Sequence, residues 1–227
     1  MKLNKYISVH KTSSKKIAED YISKKKVKVN GLVITDIFFP ITKNDKVYLN
    51  NKLIKKKKSG YILYNKPADI DSNSIPLHLK KFLKSFYNDD DYNWIGLEIG
   101  VCGLVLFYDD NKLNQLVDNI WLLFDLKFKN QLNKNQKKDL NDFILSIDEF
   151  SEINFIDNKN VAVKIQKKNQ NKLFFKLNEF NVLIIDRVLI QNLDKFDIPR
   201  GKFRKLNDLE ILNLKSLSTS PYKSSSH

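Results

Sequence analysis

The sequence contains little cysteine, glycine, proline or arginine. Its 227 residues include one cysteine, six glycines and five prolines. A single cysteine excludes an internal disulfide and suits a reducing compartment, so we expect a cytoplasmic protein. One cysteine and three scattered histidines also lack the number and spacing of a usual zinc site. We therefore expect neither a metal nor a cofactor.

Long hydrophobic runs are also missing. No apolar run approaches the roughly 18 residues that a membrane-spanning helix needs, and residues 1–16 lack the apolar core of a secretory signal. We expect no membrane partner. Hydrophobic residues still make up 42% of the chain, which argues against global disorder. The length fits one large domain, or a small domain joined to a medium one.

Positive charge is concentrated in the first quarter of the chain. Residues 1–58 hold 16 lysines against four carboxylates, a balance of +12 out of a formal net charge of +14. The other 169 residues therefore carry about +2. The codon bias of an AT-rich genome would explain why lysine replaces arginine, but not why the excess lies in one segment. This distribution predicts a module that binds a polyanion.

The first 54 residues have the pattern of two short helices followed by a hairpin. Leu3, Tyr6 and Ile7 have helical spacing, and Ser13 or Ser14 is placed to cap a second helix. An apolar stripe marks one side of that helix: Ile17, Ala18, Tyr21 and Ile22. Alternating residues then flank Asn30-Gly31, a strong hairpin signal, and a further strand is expected at 46–49.

This arrangement resembles the alpha-L RNA-binding domain, with matching blocks at residues 3–8, 14–19 and 26–31. The family usually has arginines where Lys15 and Lys16 stand. Lysine keeps the charge and loses the bidentate fork, so phosphate contacts should survive better than exact recognition. The resemblance implies that RNA is bound by the exposed lysines of this segment, which are Lys2, Lys5, Lys11, Lys15, Lys16, Lys24, Lys25, Lys26 and Lys28.

Three further blocks follow a basic stretch at 55–60 that reads as a linker. The first, Tyr61–Pro67, is a strand ended by proline. The second has three glycines in 96–103, which punctuate a loop around Glu98, and then the continuous apolar run Leu104–Phe107, typical of a strand buried on both faces. The third is Pro199–Leu206. Together they resemble the bacterial pseudouridine synthases that modify ribosomal RNA.

The resemblance implies an α+β fold, with a small alpha-L RNA-binding domain joined to a larger domain of mixed β-sheet with flanking helices. We expect domains at 1–54 and 61–214, a linker at 55–60 and a tail at 215–227 that is disordered on its own. Between the framework blocks, periodicity predicts helices within 71–93, 113–120, 140–147 and 171–180, strands at 121–128 and 182–190, and a hairpin over 153–165.

The catalytic positions of that family are altered here. The family aspartate that attacks the nucleotide aligns with Glu98, and the preceding arginine aligns with Gly96. The base-stacking tyrosine aligns with Leu122, and a lysine before it with Ile120. An Asn-Arg-Gln element below the pocket aligns with 168–173, where only the glutamine, Gln170, and one basic position remain. The chain thus keeps the framework of the family and loses its catalytic groups.

Three hypotheses follow. The first is an RNA-binding protein without isomerase activity that associates with ribosomal RNA in a ribosomal subunit, the small one favoured, or in its precursor. The second is an active pseudouridine synthase that uses Glu98, although an extra methylene shifts the carboxylate by about 1 Å and such a shift can cost about 100-fold. The third is a protein-interaction module whose lysines only confer solubility.

Other candidate residues have ordinary structural explanations. Cys102 lies in an apolar stretch and is expected to be a small core residue. Trp94 and Trp121 stand among apolar neighbours and are also predicted to lie in the core. Asp109-Asp110 has no metal-binding companions at a recognisable spacing.

Overall fold

The computed structural model describes residues 1–12, 14–54, 60–70, 75–87, 92–98 and 100–216. Residues 55–59 of the expected linker and residues 217–227 of the expected tail lie outside these residues. The described residues form two compact units, one made of 1–54 with 82–87, and the other of most of the remainder. The domain boundaries given above stay predictions.

The α-helices of the described chain are α1 (Leu3–Ile7), α2 (Lys15–Ser23), α3 (Leu77–Tyr87), α4 (Asn111–Leu116), α5 (Lys134–Ile147), α6 (Gln170–Leu177) and α7 (Asp208–Lys215). Its β-strands are β1 (Val27–Val29), β2 (Leu32–Val33), β3 (Val47–Leu49), β4 (Lys52–Leu53), β5 (Tyr61–Lys66), β6 (Asn93–Ile95), β7 (Val101–Tyr108), β8 (Trp121–Phe128), β9 (Glu152–Phe155), β10 (Asn160–Gln166), β11 (Val182–Ile190), β12 (Leu193–Asp194) and β13 (Phe203–Lys205). None of the helices in the described ranges is long and apolar enough to cross a membrane.

The N-terminal unit begins with two helices that pack on a small sheet. Ser14 caps α2, since its hydroxyl accepts a hydrogen bond from the Ile17 amide at 3.5 Å. Ala18 and Ile22 of the expected stripe are fully buried, together with Leu3. The prediction was wrong for Ile17, which is 48% exposed because it lies one position off the buried face.

The sheet of this unit has the order β2-β1-β3-β4 and is antiparallel throughout. Asn30 and Gly31 both have positive φ, as a two-residue hairpin turn with the right twist requires. A second turn of this kind, Asn50-Asn51, joins β3 to β4. Sequence analysis missed that hairpin, because β4 is only two residues long and shows no alternation.

The second unit is built on a nine-stranded mixed sheet, which includes the path β13-β5-β7-β11-β8-β10-β9. All eight residues of β7 are buried, as its apolar run predicted. One edge of β7 pairs with β5, and the other is shared by β6 and the parallel strand β11. The loop that precedes β7 therefore starts at the end of β6 and leads into a strand that pairs with β5, β6 and β11.

Helices cover one face of the strands that follow β7. Alternate residues of β8 are buried, and Phe124 meets Phe174 of α6 edge-to-face with ring centroids 5.4 Å apart. The expected hairpin is formed by β9 and β10, and β10 also pairs antiparallel with β8. The strands predicted at 121–128 and 182–190 have those bounds in the structure. The α+β class with a large mixed sheet is therefore confirmed.

Candidate functional site

The loop aligned with the family's catalytic segment lies between β6 and β7. Gly96, Leu97 and Glu98 connect the two strands, and the Val101 amide donates to the Glu98 carbonyl at 3.3 Å. Leu97 is buried, whereas the side chain of Glu98 is exposed. The leucine anchors the loop to the core, and the carboxylate one residue later is presented to solvent.

A buried arginine of β11 ties this loop to the sheet. The Arg187 guanidinium donates to the carbonyls of Leu104, Ile95 and Gly96, the last two at 2.6 and 2.9 Å. It also donates to Gln170 Oε1 at 3.0 Å. Complete burial lowers the pKa of Arg187 to about 9. All of these acceptors are neutral oxygens. By donating to the Gly96 carbonyl, the guanidinium fixes the position of the loop backbone.

Sequence analysis did not single out Arg187. A useful signal was present, because Asp186-Arg187 interrupts an otherwise apolar strand. A charged residue in such a strand needs several hydrogen-bond partners to be buried. The alignment did identify Gln170, which the structure places at the start of α6 in direct contact with this arginine.

A second cation lies close to the same loop. Burial lowers the pKa of Lys167, and the nearby charge of Arg187 lowers it further, while Asp118 and Glu98 act in the opposite direction. Lys167 belongs to a short 3-10 turn before α6, and its amide donates to the Ile120 carbonyl at 2.8 Å. The structure therefore brings Glu98, Lys167, Arg187 and Gln170 into one neighbourhood.

The same turn carries polar atoms without partners. Within the described chain, Asn169 Nδ2 and Gln166 Oε1 are buried and make no hydrogen bond. A buried polar group left unpaired costs about 1–3 kcal/mol, and such groups in native structures call for an explanation. Asn169 lies in this turn, and Gln166 is the last residue of β10 just before it.

The positions aligned with the stacking tyrosine and its neighbouring lysine carry no polar side chain. Leu122 is fully buried in β8, on the face that packs against α6, and Ile120 is 1% exposed. No aromatic or cationic side chain replaces the family residues at these two places.

The prediction that Trp94 lies in the core was wrong. It is 39% exposed on the short strand β6, which pairs with β7.

A separate ionic network lies on the other face of β11. Asp186 accepts from Lys195 at 2.6 Å and from Arg200 at 2.7 Å, and Arg200 also donates to Asn65 at 2.6 Å. Burial alone would raise the pKa of Asp186, but these two cations outweigh it and leave the pKa below 3.8. Burial raises the pKa of Asp125, its register partner on β8, and the charge of Asp186 adds to that rise. The network joins β5, β11 and the segment before β13.

The N-terminal lysines lie where a binding surface requires them. Eight of the nine predicted RNA-binding lysines are exposed, and Lys28 is half-buried. Lys24 pairs with Asp20 at 2.8 Å, and Lys26 lies 5.6 Å from the ring centre of Tyr21. Lys2 lies 4.5 Å from the Phe38 ring centre. These contacts leave the charges at the surface, and the RNA-binding role of the lysines stays a prediction.

No candidate metal site is found among the described residues. The structure brings no three His, Cys, Asp or Glu side chains together within its described ranges in a way that could hold an ion. Cys102, the single cysteine, is buried as predicted, and burial is the largest cause of its raised pKa. It is therefore a poor nucleophile.

Comparison with known proteins agrees with the resemblance read from the sequence. No family model matches the chain. An uncharacterized RNA pseudouridine synthase of Aquifex aeolicus is 24% identical over 238 residues, which cover 96% of this chain and 97% of that protein. Ribosomal large subunit pseudouridine synthase B of Bacillus subtilis is 27% identical over 114 residues, about half of each protein.

A solved structure shares the fold. The crystal structure of a pseudouridylate synthase matches with a TM-score of 0.55 and 19% sequence identity, and it covers 94% of this chain and 99% of its own. At that identity the match establishes architecture only. Sequence similarity along almost the whole chain and the shared architecture together support the pseudouridine synthase family for this protein.

Proposed function

We propose that the chain is an RNA-binding member of this family that has lost isomerase activity and associates with ribosomal RNA in the cytoplasm. The concentrated charge of residues 1–58 supports RNA binding, because a balance of +12 suits a phosphate backbone. The similarity to proteins named as RNA and ribosomal pseudouridine synthases supports the choice of RNA as partner. The alpha-L identity of the N-terminal unit belongs to the same proposal.

One observation carries the loss of activity: none of the described residues in the loop that presents the exposed Glu98 carboxylate is an arginine. Gly96 stands at the arginine position, and the guanidinium of Arg187 donates to backbone carbonyls and Gln170. A carboxylate that must attack a nucleotide needs a fixed orientation. The buried Leu122 also leaves no aromatic ring to stack on the base.

Tritium release tests this proposal directly. Purified protein is incubated with ribosomal RNA transcripts that carry 5-tritiated uridine, and released tritium is counted. We expect no release above background from the wild type or from Glu98→Asp, since shortening the side chain restores neither the arginine nor the tyrosine. Turnover that disappears in Glu98→Ala would instead establish an active enzyme.

An active isomerase is the second candidate, and Lys167 is the observation that favours it. Its ammonium interacts electrostatically with Glu98 and could replace the missing arginine as the positive partner. In that case wild-type turnover should fall strongly in both Glu98→Gln and Lys167→Gln. The exposed Lys138→Gln variant of α5 is the matched control and should retain full turnover.

Association with the ribosome is tested by sucrose-gradient fractionation of lysate. We expect the protein to sediment with a ribosomal subunit or an assembly intermediate at moderate salt and to move to the soluble fraction at high salt. The small subunit remains our proposal, and the separation of both subunits in the gradient decides it. Recovery in the free fraction alone, at low salt and during growth, would contradict ribosome association.

A further inference from the structure

The outer face of the N-terminal sheet carries a row of side chains that the helices do not cover. Residues paired directly across neighbouring strands point to the same face. Lys28 pairs with Val33 on one side and with Tyr48 on the other, and Tyr48 pairs with Leu53. These four residues therefore cross all four strands, while their neighbours in β1 and β3 are buried towards α1 and α2.

Apart from Lys28, the side chains of this row are largely apolar, and they are accessible to solvent. Val33 is 47% exposed and Leu53 49%, and Tyr48 is half-buried. An aromatic ring at the centre of an open sheet, with aliphatic side chains beside it, is the arrangement on which unpaired bases stack in proteins that bind single-stranded RNA. The hydrophobic core of the unit is formed by the other face of the sheet, so packing does not explain these exposed side chains.

A groove of about 650 Å³ opens next to Tyr48. The residues that line it include Lys28, Asn30, Asn44, Lys46, Tyr48 and Asn51. No acidic residue is found among the described lining residues, and Asp45 close by is engaged by Asn30 at 2.7 Å and by Thr42 at 2.8 Å. The groove therefore combines two ammonium groups, one aromatic ring and the amides of Asn44 and Asn51, because the Asn30 amide is already bonded to Asp45 and to the Lys46 backbone.

These groups suit one kind of occupant. Ammonium groups bind phosphates, amide side chains donate to and accept from base edges, and the tyrosine ring offers a stacking surface. The carboxylates of an acidic peptide would bind the lysines, but they could not stack on the tyrosine ring as a base does. Duplex RNA presents its bases stacked on each other and so cannot use the ring.

We propose that this outer face, centred on Tyr48 and flanked by Lys28 and Lys46, is a subsite for an unpaired nucleotide of RNA. The inference rests on the proposed RNA binding of the N-terminal unit and adds a site to it. The helical lysines bind the backbone of folded RNA with little regard to sequence. The sheet face selects RNA that has a single-stranded segment next to the bound helix.

Equilibrium binding of the full chain to two labelled probes tests the subsite. One probe is a single strand of about twelve nucleotides, and the other is a duplex of the same length. We expect Tyr48→Ala and Tyr48→Leu to weaken single-strand binding by about 5- to 100-fold, the effect of losing one stacked base. Both should bind the duplex as the wild type does, and Tyr48→Phe should retain single-strand affinity.

Matched controls separate the subsite from general effects. Tyr48→Leu keeps an apolar side chain in the sheet, and thermal unfolding verifies that each variant is folded. Phe175→Ala removes an aromatic residue of the other unit that is 77% exposed, and it should leave both affinities unchanged. Crosslinking to a probe that contains 4-thiouridine should label the peptide that carries Tyr48.

Two results would overturn the inference in distinguishable ways. If the wild type binds both probes and the Tyr48 variants bind the single strand equally well, the subsite is refuted and RNA binding stands. If the wild type binds neither probe at low salt, the proposed RNA binding itself is refuted.

Discussion

At the scale of single residues, Arg187 has the largest structural role near the candidate site. It is completely buried, and its guanidinium satisfies backbone carbonyls on two strands together with Gln170. Removing one partner of a buried polar network leaves the other partners unsatisfied, which costs more than the net strength of the bonds. The side chain therefore fixes the loop that carries Glu98.

Arg187→Leu should accordingly destabilise the protein, because the carbonyls of Leu104 and Ile95 and the Gln170 oxygen lose their donor, and each buried acceptor left unpaired costs about 1–3 kcal/mol. Arg187→Lys should fall between this variant and the wild type, because an ammonium has fewer donors and no planar fork. Urea unfolding measures the difference, with exposed Lys172→Gln as the control. An Arg187→Leu protein as stable as the control would show that the loop does not depend on these hydrogen bonds.

Asp186 makes the stability of the fold dependent on pH. Its folded-state pKa lies below the usual 3.8 because Arg200 and Lys195 bind the carboxylate. A depressed pKa adds stability that is present above the unfolded value and is lost as the pH falls through the folded value. We expect the urea midpoint to drop below about pH 4, and the drop to be smaller in Asp186→Asn.

The same Asp186→Asn variant should also be less stable near pH 7, by about 1–2 kcal/mol, because two cations that are about one third exposed lose their carboxylate. Asp142→Asn, at an exposed helical position, is the control and should follow the wild-type pH profile. Identical pH profiles for Asp186→Asn and the wild type would assign the acid sensitivity to other carboxylates.

At the scale of elements, the close contact between β7 and β11 depends on Gly103. Its φ is +110°, and a Cβ atom added there would collide with the carbonyl oxygen of Arg187 and lie 2.5 Å from its nitrogen. The two strands pair in parallel at this point, so neither backbone can withdraw without breaking the ladder. A side chain at this position would separate the strands.

Gly103→Ala should therefore leave little folded protein, as judged by soluble yield and near-ultraviolet circular dichroism. Gly100→Ala provides the matched control, since Gly100 also has positive φ, at +81°, but has no atom within 4 Å of the added Cβ. We expect it to cost only about 1–2 kcal/mol, the strain of the left-handed conformation. Equal behaviour of the two variants would mean that φ, and not strand contact, decides the outcome.

The elements that sequence could predict are those with a strong pattern. A continuous apolar run identified β7, a mostly apolar run identified β11, and Asn30-Gly31 identified the first hairpin. The short strands β4, β6 and β12 were missed because two or three residues show no period, and their pairing depends on neighbours distant in sequence.

The candidate site was predictable only at the positions aligned with the family. Arg187 joins it through the parallel pairing of β11 with β7, and Lys167 through the antiparallel pairing of β10 with β8, and no local pattern specifies either pairing.

At the scale of the whole molecule, charge asymmetry should determine RNA binding. Replacing Lys15, Lys16, Lys24, Lys25 and Lys26 with glutamine should weaken binding and flatten its salt dependence. Each lost phosphate contact removes about 0.7–0.9 from the slope of log affinity against log salt concentration. Filter binding at several salt concentrations measures the slope.

An equal number of exposed lysines in the second unit serves as the control. Replacing Lys129, Lys134, Lys138, Lys159 and Lys172 changes the net charge by the same amount. This variant should retain most of the wild-type slope, because its lysines are spread over a nearly neutral segment. If both sets flatten the slope equally, the RNA surface extends over both units.

The pairing of β13 with β5 has a consequence for how the chain is made. Phe203, Arg204 and Lys205 pair with the first strand of the large sheet, and Asn65 meets Arg200 across 135 residues of sequence. During synthesis the outer edge of β5 therefore stays unpaired until residues 203–205 have left the ribosome. An open edge on an apolar strand is a template for aggregation. A nascent chain that stalls before residue 203 would be a natural client for chaperones.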